Sequence, residues 1–251
     1  MAARNDFEFP LNALVYITDW RIADRCLGEL PWPAAPSRAP ARTIQLARLR
    51  YDGNWDPEPL AWERFGRLLT AERAIEVEAQ PIDILKLPAC GAIVGHLTGT
   101  AAISLSADQR AAIKKFITGG GTLLIDAAGG SREFADSASK MLGEMFSPSA
   151  LRPLLLDAAI YNPPDMKIDT VLYTRAARIR SEGLSKHTPL LRGITVDGRV
   201  AVMFSDLDIT AGLLGIGAMD CAGYRARSAF EIARNVLLYA ANGPPAESPK
   251  K

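Results

Sequence analysis

The sequence predicts an α/β fold, a mostly parallel sheet with helices on both faces. Two observations carry that prediction. The first is residues 119–131, Gly-Gly-Gly-Thr-Leu-Leu-Ile-Asp-Ala-Ala-Gly-Gly-Ser. Here a glycine run ends one helix, a short apolar run reads as a buried strand, the strand stops on Asp126, and a second glycine pair opens onto another helix. The second is the order of elements along the chain, strand, helix, strand, strand, helix, strand, helix, which right-handed crossovers convert into parallel neighbours. In such sheets ligands sit outside the carboxyl ends of the strands, so Asp126 and the loop behind it are where a site is to be sought.

Taken in order, residues 11–18 (Leu-Asn-Ala-Leu-Val-Tyr-Ile-Thr) read as a short strand, and Pro31, Pro33, Pro36 and Pro40 make an irregular connector after it. Residues 43–51 form the next strand and end in Tyr51-Asp52-Gly53-Asn54-Trp55-Asp56-Pro57, where Asp, Asn and Gly supply turn chemistry. Leu60, Phe65, Leu68 and Leu69, with Trp62 alongside, recur at helical spacing; Asp56 is placed to cap that helix and Pro57 to start it. Residues 74–79 alternate as a half-exposed strand, and residues 91–96 read as a buried one ending at His96.

Ser106 and Gln109 have the spacing of a capping box, and the helix they open buries Ile113, Phe116 and Ile117 before the glycine run stops it. After the Asp126 strand, Phe134, Ala138, Met141, Leu142 and Met145 mark another amphipathic helix. Residues 168–175 and 199–205 read as strands, and residues 226–241 as the last helix. The expected organisation is an N-terminal strand and Pro-rich connector over 1–42, one α/β domain over 43–243, and a flexible tail over 244–251.

Composition narrows the function classes. Lys plus Arg number 29 and Asp plus Glu 28, a net charge of +1, so no global field favours nucleic acid or an anionic membrane. Three scattered cysteines, Cys26, Cys90 and Cys221, form no metal or redox motif. No apolar run approaches the ~20 residues that span a bilayer. Residues 1–10 lack the basic start and apolar core of a leader. Cytoplasmic placement is the default expectation, with an extracytoplasmic one as the alternative if a leader was removed.

The strand ends gather ionisable groups: Asp52 after the first strand of the domain, His96, Asp126, and Asp206 with Asp208. Asp52, Asp126 and His96 are the candidates for catalysis, with His96 as base. Asp52, Asp126, Asp206 and Asp208 are the candidates for a divalent cation held by carboxylate oxygens; no other cofactor is expected. Gly129, Gly130 and Ser131 open a helix and could cradle an anion, and Asn54 and Trp55 could face a small molecule or a protein. Each also has a structural reading: Asp holds turns and helix ends, a single His is more often a bonded core residue than a base, and Cys221 reads as a buried thiol.

Residues 48–55 (Arg-Leu-Arg-Tyr-Asp-Gly-Asn-Trp), Gly95-His96, the Gly-Gly-Thr-Leu-Leu-Ile-Asp-Ala-Ala-Gly-Gly run, and Gly198-Arg199 followed by Ser205-Asp206 resemble the bacterial domain-of-unknown-function family 4159 over residues 43–241. That resemblance implies a flavodoxin-like, class I glutamine amidotransferase-like fold and neighbours in the cell envelope. The amidotransferase chemistry does not carry over. Those enzymes place a nucleophilic cysteine in the turn after the hinge strand, and here the turn is Asp126-Ala127-Ala128-Gly129-Gly130. Their late His-x-Glu dyad is also unmatched, since Thr188 and Pro189 follow His187. The expected function is a non-catalytic ligand- or protein-binding module; the alternative is a metal-assisted or His/Asp hydrolase at the carboxyl edge of the sheet.

Overall fold

Alternating apolar residues Ile44, Leu46 and the chain through Leu49 commit residues Arg42–Arg50 to a buried strand, β1. In the computed structural model, which describes residues 32–37, 39–180, 187–215 and 221–243, β1 sits inside a seven-stranded sheet. The chain divides into two units, residues 1–34 and 35–251, and the sheet belongs to the second. The strand expected over 11–18, the tail over 244–251 and Cys26 lie outside the described residues.

The remaining strands are β2 (Ile75–Asp83), β3 (Val94–Gly99), β4 (Thr122–Ala127), β5 (Arg152–Pro153), β6 (Leu191–Val196) and β7 (Arg199–Ser205). Their order across the sheet is β2-β1-β3-β4-β7-β6-β5. The first five run parallel; β6 is antiparallel to β7, and β5 to β6. Helices α1 (Ala61–Arg73) and α6 (Ala226–Asn242) bury Trp62, Phe65, Ile232 and Val236 against one face, with Leu46, Leu124 and Met203 of the sheet. Helices α2 (Ala107–Thr118) and α3 (Arg132–Met145) bury Phe116, Phe134 and Leu142 against the other, with Leu49, Leu123 and Phe204. Short helices α4 (Arg175–Arg180) and α5 (Thr210–Leu213) complete the set. The α/β class and the two-faced cover are thus as the sequence implies.

Local chemistry explains most boundaries. Ser106 and Gln109 make the expected capping box on α2. Gly121 lets the chain pass Phe116, whose ring lies where a Cβ would be. Four boundaries depart from expectation. Helix α1 starts at Ala61 with no side-chain cap, because Asp56 gives both carboxylate oxygens to Arg48 Nη1 at 2.7 and 2.8 Å. Strand β3 runs to Gly99, so His96 lies within it and not at its end. Strand β2 continues through Pro81, which an edge strand tolerates. Residues 168–175 are not a strand: Val171 bonds His187, Leu172 bonds the Ser228 hydroxyl, and Tyr173 makes only an isolated bridge to Tyr224. β6 was not foreseen.

The order reverses between β1 and β3, the place where an open α/β sheet forms a crevice at its carboxyl edge. There the Tyr51 hydroxyl donates to Thr98 O at 3.1 Å and the Asn54 amide to Thr100 Oγ1 at 3.0 Å.

Candidate functional site

The parallel register sets the site. Leu124 lies opposite His96 and Asp126 opposite Thr98, so His96 and Asp126 are diagonal neighbours on one face of the sheet, the face covered by α1. Both are buried, at 4% and 0% exposure. Trp62, on the inner side of α1, donates its indole Nε1–H to His96 Nδ1 at 3.1 Å. Indole nitrogen only donates, so Nδ1 must offer a lone pair, and the remaining ring proton sits on Nε2. Nε2 is 2.7 Å from Asp126 Oδ1 and donates to it. Both nitrogens of the ring are therefore occupied.

The second oxygen of Asp126 is equally engaged. Oδ2 accepts the Ile209 and Thr210 backbone N–H groups at 2.8 and 3.1 Å and lies 3.0 Å from Thr210 Oγ1. Burial by itself pushes this carboxyl up, but His96, through its hydrogen bond and its electrostatic attraction, and then the two amides outweigh it and hold it below the ordinary aspartate value. An ionised, buried carboxylate is tolerated here because donors surround it.

Asp208 makes the second node. Its Oδ2 accepts the Gly129 N–H and lies 3.3 Å from the Cys221 thiol, while Oδ1 accepts the Ala211 N–H at 2.7 Å. Burial, then the nearby Asp126 charge, push Asp208 up to about 6 against those hydrogen bonds. The backbone repeats the link: Ala222 N–H donates to Gly129 O at 3.1 Å and Asp208 N–H to Ala222 O at 3.0 Å. Gly129 and Gly130 have φ of +64° and +73°, and a Cβ on Gly130 would lie 2.5 Å from Ala222 O. The Gly129 N–H is thus taken by the chain's own Asp208, and the Ser131 N–H by Ala128 O.

The turn after β1 contributes a residue that the sequence did not single out. Glu58, between Pro57 and Pro59, places Oε2 3.3 Å from Thr210 Oγ1. Burial first, then the charges of Asp208 and Asp126, raise it to about 8. Its signal in sequence is slight, since 152 residues separate it from Thr210.

The other candidates lie apart from this cluster. Asp52 is exposed, and Asp206, half exposed, pairs with Arg192. Ser131 caps α3 by accepting the Phe134 N–H at 3.2 Å. Asn54 is exposed on the β1 turn, and Trp55 is half-buried with the Arg48 guanidinium 5.9 Å from its ring centre. Among the described residues no three His, Cys, Asp or Glu side chains converge as a metal-binding group. Of the four aspartates considered for a cation, two are buried and bonded to protein donors, and two are exposed and separate. A cavity of about 520 Å³ between α1 and α6, lined by Arg64, Leu68, Glu72 and Phe230 among others, includes none of the candidate residues.

Compared with known families, the chain matches the one described as Domain of unknown function (DUF4159) over residues 45–241. The chain belongs to that family. The matched span takes in β1 from Gln45 onward, every later strand of the sheet and both buried nodes, Asp126 and Asp208. No curated protein matches the sequence. Among the described residues no helix is long and apolar enough to cross a membrane.

The chemistry open to this arrangement is limited. Among the described residues His96 has both ring nitrogens engaged, and Thr210 Oγ1 lies between two acids. The Cys221 thiol, pushed up by burial and then by Asp208, stays protonated and unreactive. Glu58 and Asp208 are the acids of this cluster that burial and neighbouring charge push up toward neutrality.

Proposed function

We propose that this chain is a non-catalytic α/β module that binds a small ligand or a protein at the carboxyl edge of its sheet. The observation that supports this most strongly is the double occupation of His96, whose Nδ1 accepts from Trp62 and whose Nε2 donates to Asp126. A general base needs a lone pair facing its substrate, and this ring has none to give. Asp126 and Asp208 likewise spend their oxygens on backbone amides, as structural acids do. What remains available at the edge is the crevice rim: Asp52, Asn54 and the half-buried Trp55 on the β1 turn, with Thr100 facing them. Polar groups that converge beside an aromatic ring suit recognition.

The test is a paired screen of the purified chain. Ligand-observed NMR against peptides, sugars and small organic acids should yield binders whose affinity falls at least tenfold in Trp55→Ala or Asn54→Ala. Binders indifferent to both substitutions would move the site off this edge. Turnover of ester, amide or phosphoester substrates, with or without added Mg²⁺ or Mn²⁺, that disappears in His96→Asn would overturn the non-catalytic reading.

A further inference from the structure

Thr210 Oγ1 lies between two carboxyl groups, 3.0 Å from Asp126 Oδ2 and 3.3 Å from Glu58 Oε2. A hydroxyl carries one proton and can donate to only one of them. Asp126 is the ionised partner, stabilised by His96 and two amides, and has no proton to offer. The contact to Glu58 is then a hydrogen bond only if Glu58 brings the proton itself, donating to Oγ1 while Oγ1 donates to Asp126. Were Glu58 ionised, its charge would add to those of Asp126 and Asp208, facing Asp126 across the Thr210 oxygen whose proton is already used.

Among the described residues the charges that act on Glu58 are those of other acids. Asp126 comes from β4, and Asp208, in contact with the Cys221 thiol, from the segment after β7. Within its own turn Asp56 adds a further negative charge, and Arg48 of β1 is bound to Asp56 at 2.7 Å. His96 is turned to Asp126 and neutral by the tautomer argument above. Pro57 and Pro59 fix their own φ on either side of Glu58, which stiffens the turn.

We propose that Glu58 is a proton-operated latch: as a neutral acid it bonds Thr210 and closes the turn over the Asp126 and Asp208 carboxylates, and on losing its proton it releases that turn. The latch stands on the count of protons at Thr210 and does not require that the edge bind anything. It makes the carboxyl edge responsive to pH near neutrality, through a residue two positions from Asp56 and three from Trp55.

The full chain tests it by NMR. The Glu58 side-chain carboxyl ¹³C signal, assigned by its loss in Glu58→Gln, should titrate with a midpoint near 8. The Trp55 indole N–H signal, assigned with Trp55→Phe, should shift with the same midpoint. In Glu58→Gln, whose amide can donate to Thr210 at every pH, the Trp55 signal should stay at its low-pH position throughout. A Glu58 carboxyl that titrates near the ordinary ~4.3 overturns the proposal. So does a Trp55 signal that ignores the titration, or one that moves equally in Glu58→Gln.

Discussion

His96 and Asp126 meet through one directed proton: Nε2–H of the ring faces Asp126 Oδ1 at 2.7 Å because Trp62 has taken the other nitrogen. That relationship turns two residues with the look of an acid-base pair into a buried tie between β3, β4 and α1. Asp126→Ala would leave the His96 N–H and the Ile209 and Thr210 amides without an acceptor. The expected loss is on the order of 3–5 kcal/mol, read as a shift in urea unfolding. Trp62→Phe, which keeps most of the packing and strands Nδ1, should cost about 1–3 kcal/mol.

The Cys221 thiol should behave as a structural group. It is buried and donates toward Asp208, whereas Cys90 is half-buried with its S–H toward Leu87 O. Alkylation with iodoacetamide at pH 8, mapped by mass spectrometry, should modify Cys90 in the folded chain and leave Cys221 untouched until urea is added.

Gly129 and Gly130 separate two costs that sequence alone would merge. Both sit at positive φ, but a Cβ on Gly129 meets open space, while on Gly130 it meets the Ala222 carbonyl and side chain. Gly129→Ala should cost about 1 kcal/mol, the backbone preference alone. Gly130→Ala should cost several times that, because the turn that holds Asp208 has to move. Thermal unfolding of the two variants side by side gives the comparison.

Stability should fall as pH rises through neutrality. Glu58 is raised from 4.5 to about 8 and Asp208 from 3.8 to about 6. Within each window the folded chain keeps a proton that the unfolded chain has released, so unfolding becomes easier with pH, and the decline ends above the folded value. Asp126 has the opposite sign: its contribution is present above the ordinary aspartate value and is lost as pH falls through its lowered one. One group gives at most about 1.4 kcal/mol per pH unit, and partial solvent access to Glu58 reduces that. Urea titrations should therefore show a loss of about 1–2 kcal/mol from pH 6 to 8.5 in the wild type. Glu58→Gln should flatten it.

Much of the fold is legible because its signals are local. The capping box at Ser106, the glycine stop after Thr118 and the apolar run into Asp126 each depend on neighbours within a few residues. β6 also carries a local signal: Asp197 and Gly198, both at positive φ, form the two-residue turn joining it to β7. Residues 168–175 show the reverse error, since their strand-like composition is overridden by hydrogen bonds to Ser228, Gly223 and His187. The site was half legible. Asp126 lies near the end of its strand, whereas His96 lies inside β3, and the engagement of both is hidden in the sequence, since it depends on Trp62 and Thr210, 34 and 84 residues away from them. Glu58 is hidden for the same reason, 152 residues from Thr210. Asp52 and Asp206 share the residue type and the edge, yet their side chains face solvent or Arg192.

The state of the His96 ring decides most directly between a closed structural node and an available base. Long-range ¹H–¹⁵N correlation of the imidazole in the folded wild-type chain at pH 7 reads both nitrogens at once. The account predicts a neutral ring with the proton on Nε2 and an unprotonated, hydrogen-bonded Nδ1, and a Nδ1 signal that moves in Trp62→Phe. A ring protonated on Nδ1, with Nε2 bare, would contradict it.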